Sequence, residues 1–162
     1  MRFSVRAAAA ISAVLLVTAT VAASTWPSVS YAEVRAYAYN PKNKFPHKDR
    51  SGRVVMYEEL ISDGKLAKNA VNKSGQLLRP AQVNRLIRAV TEQPRKVSIQ
   101  ARCFDPHHGF VFYDGMKRPA AWVEVCFKCN TVSTHPIRKS STDPDMQALL
   151  TLCDELKLPR TP

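Results

Sequence analysis

Two strand-like runs, Phe110 to Tyr113 and Pro119 to Cys126, flank the turn signal Asp114-Gly115-Met116-Lys117. That spacing commits the chain to a β-hairpin, because so short a connection can join only antiparallel neighbours. Upstream, Val97, Ile99, Ala101 and Cys103 alternate with Ser98, Gln100 and Arg102, and downstream Thr131 to Thr134 is again strand-like. The four runs predict an antiparallel meander.

Helical spacing occurs twice. Pro80 sits at a first-turn position, and Val83, Leu86, Ile87 and Val90 draw one apolar stripe, so a helix is predicted over Arg79 to Thr91 and stopped by Pro94. A last helix is predicted from Asp143 as N-cap with Pro144 in the first turn, carrying Met146, Leu149, Leu150, Cys153 and Leu156 on one side. Val34 to Tyr39 and Val54 to Ile61 read as strands, the latter closed by Asp63-Gly64, with a Pro- and Lys-rich loop from Asn40 to Gly52. Residues 65–76 read as polar and turn-like. The expected fold class is α+β: a small antiparallel β-meander sheet with two helices packed on one face.

The N-terminus reads as an export signal. Arg2 and Arg6 precede an apolar stretch from Ala7 to Ala23, and Ser30-Tyr31-Ala32 offers small residues where a signal peptidase cuts. The expected organisation is a signal peptide over 1–32, an N-terminal strand and basic loop over 33–62, and a core domain over 63–162. Cleavage after Ala32 would release a periplasmic or secreted chain with no stable membrane insertion; the alternative is a retained anchor, since 17 apolar residues is about the shortest span that crosses a bilayer.

Of 162 residues, 24 are Lys or Arg and 13 are Asp or Glu, a formal charge of +11. Without residues 1–32 the balance is 22 against 13, a net +9. A basic exported domain is steered toward an acidic protein or an anionic envelope surface, and nucleic acid is not expected in that compartment.

Cys103-Phe-Asp-Pro-His-His108 is followed, 17 residues later, by Cys126-Phe127-Lys128-Cys129. In a meander both segments emerge at the same sheet end. Cys103, His108, Cys126 and Cys129 would then form a Cys3His set, the ligand chemistry of a closed structural zinc site, with Asp105 and His107 as supporting neighbours. Asn130 suits the left-handed turn such a Cys-x-x-Cys requires. An oxidising compartment favours a disulfide instead, such as Cys103 with Cys126 or Cys129, and a redox Cys-x-x-Cys is a third reading. Cys153 falls on the apolar stripe of the last helix and is expected to be a buried core thiol.

The run Cys103 to Asp114, together with Ala121-Trp122-Val-Glu-Val-Cys126-Phe127-Lys-Cys129, resembles a family of uncharacterised bacterial exported proteins and lipoproteins. Its signature is a Cys, Pro and His before a short hairpin and [IV]-C-F-x-C after it. The resemblance implies that Cys103, His108, Cys126 and Cys129 occur together, and implies no activity. This chain departs from it in having His107 where Arg is frequent and in having no lipobox cysteine.

Nothing in the chain speaks for catalysis. It has no nucleophile elbow with a Ser-His-Asp order, no glycine-rich phosphate loop and no carboxylate pair at a plausible spacing. Glu124 reads as a solvated or ion-paired strand position, and His47 and His135 as exposed loop residues. The leading expectation is a metal-binding protein, zinc-like and structural, that acts by binding. The alternative is an envelope interaction, inhibitor or immunity-type protein with a structural disulfide at the cluster, and a lesser one is a thiol-disulfide redox protein.

Overall fold

The computed structural model describes residues 26–40, 47–48, 52, 54–55, 59–92, 104–138 and 143–159. The elements in chain order are β1 (Glu33–Ala38), β2 (His47–Lys48), β3 (Val54–Val55), β4 (Ile61–Ser62), β5 (Lys65–Leu66), β6 (Gln76–Leu77), α1 (Pro80–Thr91), β7 (His108–Tyr113), β8 (Pro119–Cys126), β9 (Thr131–His135) and α2 (Met146–Glu155). Five of the strands form one antiparallel sheet in the order β6-β1-β7-β8-β9, and β2-β3 and β4-β5 are separate two-stranded pairs. The fold class is α+β.

The β7-β8-β9 meander stands as the spacing predicts. Its first hairpin is fixed by Asp114, whose Oδ1 accepts the backbone N–H of Met116 and of Arg118 while its Oδ2 pairs with the Arg118 guanidinium. The other neighbour of β7 is a surprise. β1 lies there along the whole strand, from Glu33 opposite Tyr113 to Ala38 opposite His108, so the ladder position expected for residues 97–103 beside β7 is filled by β1. The segment 97–103 itself lies outside the described residues. Alternation shows which residues can form strands but not which strands become neighbours.

Both faces of the sheet are buried. On one, Val34, Ala36, Phe110, Phe112, Ala121, Val123 and Val125 meet α1 through Val83, Leu86, Ala89 and Val90, and α2 through Leu149, Leu152, Cys153 and Leu156. On the other, Tyr37, Tyr39, Val111, Tyr113 and Trp122 are covered by Leu60, Ile61 and Ala70. This cover is the segment 59–71 with the β4-β5 hairpin, whose Asp63 and Gly64 both take positive φ, as a two-residue type I′ turn demands. Gly109 makes the cover possible, because a Cβ there would lie 2.3 Å from Leu60 Cδ2.

Helix α1 matches the predicted span, with Pro80 at its first turn and Gln82 Oε1 accepting the Arg79 N–H. Helix α2 begins two residues later than the sequence suggests, with Asp145 as N-cap; its Oδ1 accepts the Ala148 N–H at 2.9 Å. Asp145 is held at that place by its own N–H, which donates to Ala89 O at 2.7 Å. Leu150 is only half-buried and Leu152 takes the core position instead.

Residues 26–32 pack on the folded body. Trp26 is 7% exposed, sets its ring edge-on to Phe112 at 5.4 Å, and donates its indole N–H to Pro136 O at 2.8 Å. Tyr31 approaches Phe112 at 5.0 Å, and Ala32 N–H donates to Tyr113 O at 2.7 Å.

Candidate functional site

The segment 104–108 enters β7 at the same sheet end where β8 leaves into the turn after Cys126, because His108 stands opposite Val125. His107 N–H also donates to Val125 O at 3.3 Å, which ties the segment before β7 to the end of β8. At the far side of the turn Asn130 takes φ 53, the left-handed conformation expected of it, and its N–H closes on Phe127 O at 3.2 Å.

The turn is closed by a disulfide between Cys126 and Cys129, with Cα atoms 5.2 Å apart. The bond joins the two cysteines of the Cys-x-x-Cys, where the structural-disulfide alternative pairs Cys103 with one of them. Three-residue separation and a tight turn bring the two sulfurs together without any help from a distant loop. Cys103 lies outside the described residues. Cys126 is 1% and Cys129 5% exposed, and the Cys129 N–H points at Cys126 Sγ at 3.1 Å.

His108 is turned away from these sulfurs by the pleat. Along β7 it shares the helix-covered face with Phe110 and Phe112, whereas on β8 the alternation of Val123 and Val125 toward the helices places Cys126 on the opposite face with Glu124 and Trp122. The His108 Nε2 lies 3.0 Å from Pro159 O and its ring stands edge-on to Phe127 at 5.4 Å. Burial pushes its pKa below the ordinary imidazole value, so the ring is held neutral, and its Nδ1 is buried with no hydrogen-bond partner among the described residues. The partner of His108 Nε2 is thus a backbone carbonyl, and Asp105 Oδ2 lies 3.7 Å from His107 Nε2. Among the described residues no group of three or more His, Cys, Asp or Glu side chains is placed to hold a metal ion.

Glu124 is a residue that strand alternation undervalues. It is 2% exposed, not solvated, and its Oε1 accepts the Leu60 N–H at 2.7 Å and the Tyr39 hydroxyl at 3.2 Å. Burial raises its carboxyl to about 7, the charge of Glu59 adds to the rise, and the bonds from Leu60 and Tyr39 oppose it. Its place beside Trp122 in the sequence is the one signal, and its burial depends on the cover over the second face. His135 likewise is not a loop residue; it lies on β9 and stacks on Trp122 with ring centroids 4.0 Å apart. The side chain of His47 lies outside the described residues. Cys153 is buried as expected, its thiol pushed up to about 12 by desolvation.

Six described lysines are free of carboxylate partners. Arg35, Arg85, Arg88 and Arg118 are each paired with a carboxylate, whereas Lys65, Lys68, Lys73, Lys117, Lys128 and Lys157 are exposed and make no ion pair among the described residues. In comparisons with known proteins the chain matches no family model, no curated protein and no solved structure.

Proposed function

We propose that this chain is an exported interaction domain, stapled by Cys126–Cys129, that binds an acidic protein partner through its unpaired lysines and performs no catalysis. The observation that supports this reading is the burial of both bonded sulfurs: a disulfide with 1% and 5% exposed cysteines has no sulfur accessible to a substrate thiol, so it serves the turn. What remains for contact is a basic surface, and unpaired lysines are the groups through which such a surface meets carboxylates. The test is retention of the purified chain on immobilised polyglutamate across a salt gradient. The chain should elute at high salt and the triple variant K65E/K68E/K73E much earlier; equal elution of the two would reject the lysine surface.

A second reading is favoured by the unsatisfied Nδ1 of buried His108. With the disulfide reduced, Cys126 and Cys129 become thiolate donors, and Cys103, His108, Cys126 and Cys129 would hold a zinc-like ion, with Asp105 and His107 alongside. In that set His108 would offer Nδ1 to the ion while Nε2 keeps its bond to Pro159 O. Native mass spectrometry with thiol counting separates the two readings, since a bound ion adds mass while a disulfide removes two hydrogens.

A further inference from the structure

We infer that the export signal is cut between Ala23 and Ser24, nine residues before the Ser30-Tyr31-Ala32 site, so that residues 24–32 remain as part of the mature domain. The inference rests on what residues 26–32 do in the fold. The Trp26 indole covers the Phe112 edge and belongs to the core that α1 and α2 share with the sheet, and Val29 packs against the same core. Its N–H is satisfied by Pro136 O, on the segment that leaves β9. Tyr31 also packs on Phe112, with ring centroids 5.0 Å apart.

Cutting after Ala32 would discard all of this. It would strip the indole from a nearly closed apolar site, leave Phe112 open to water, and free Pro136 O. It would also place a new α-ammonium on Glu33, the first residue of β1, opposite Tyr113 in the ladder. A signal sequence is a disposable segment, and a buried tryptophan with its hydrogen bond made is not disposable.

The upstream site satisfies the chemistry equally well. Val21-Ala22-Ala23 ends the apolar stretch and presents Ala23 at the first and the uncharged, short Val21 at the third position before the bond. Hydrolysis there breaks the Ala23 C–N bond, adds one water, and leaves a carboxylate on Ala23 and an ammonium on Ser24. The catalyst is a membrane-bound signal peptidase of the host. The mature chain then has 139 residues, and because residues 24–32 carry no charged side chain its net charge is the same as for cleavage at Ala32. Two residues, Ser24 and Thr25, separate the new terminus from Trp26, so the indole can dock as soon as the chain is released.

The experiment is to express the full chain from Met1 in a bacterium with a secretory pathway and read the intact mass and N-terminal sequence of the exported product. A first residue of Ser24 is expected. Ala23→Phe, which puts a bulky group beside the cut, should accumulate precursor, whereas Ala32→Phe, at an exposed position, should be processed at Ala23 like the wild type. A product starting at Glu33, a full-length chain kept in the membrane, or a block by Ala32→Phe with normal processing of Ala23→Phe would each overturn the inference.

Discussion

Replacing Glu124 by Gln should convert a pH-dependent fold into one that is flatter across neutrality. The carboxyl has an ordinary value of 4.5 and is raised to about 7 in the fold, chiefly by burial. A folded pKa above the unfolded one means that the folded state holds the proton more tightly. The stability from this group is therefore complete below about pH 4.5 and is lost as pH rises from there through about 7. Each pH unit of that gap is worth about 1.4 kcal/mol, so the loss is about 3 kcal/mol. Gln keeps an oxygen where Glu124 Oε1 accepts from Leu60 N–H and Tyr39. It also buries an NH2 group, at a cost of about 1 kcal/mol. E124Q should thus be less stable than wild type by about 1 kcal/mol at pH 4.5 and more stable by about 2 kcal/mol at pH 8. The assay is urea unfolding of both proteins at half-unit steps from pH 4.5 to 8.5, at constant ionic strength. Burial lowers His108, which acts in the opposite sense by withdrawing stability as pH falls below 6.5, but this contribution is common to both proteins and cancels in their difference. Parallel stability curves for the two proteins would refute the reasoning, because a carboxyl that titrates normally cannot separate them.

Gly109→Ala should destabilise by roughly 1–3 kcal/mol, since its Cβ would meet Leu60 Cδ2 at 2.3 Å and Val123 O at 2.8 Å; thermal unfolding checks this, and the effect should shrink when Leu60 is also changed to Ala. Trp26→Ala should cost about 3–5 kcal/mol in urea titrations, through the lost burial against Phe112. Cys126→Ser with Cys129→Ser should lower stability by about 2 kcal/mol, the entropy of closing so short a loop, and should not change the elution of the chain from polyglutamate. Cys153→Ala should cost on the order of 1 kcal/mol, and the wild-type thiol, with its pKa pushed up to about 12, should resist alkylation until the protein unfolds.

What the sequence determines here is local. Four positions of one apolar stripe and a first-turn proline suffice for α1, because a helix satisfies its own backbone and needs a partner only for its buried side. The β7-β8-β9 meander is equally legible, since each strand pairs with the next through a short turn, and Asn130 is the residue such a turn selects. Cys153 could be placed by its distance from Leu149 and Leu156 alone.

The tertiary structure decides everything that joins residues far apart in the chain. β1 lies about 70 residues from β7 and yet takes its free edge, a pairing to which alternation is blind. That insertion, with the cover laid by Leu60 and Ile61, closes the second face and turns Glu124 from an expected surface carboxylate into a buried one. The pleat, continued through both strands, sends His108 and Cys126 to opposite faces of the sheet end they share. The three-residue disulfide follows from the turn, and Trp26 follows from a surface that exists only after the sheet and helices are assembled. In each case the controlling free energy is desolvation, which depends on what lies above a residue in space and not on what precedes it in sequence.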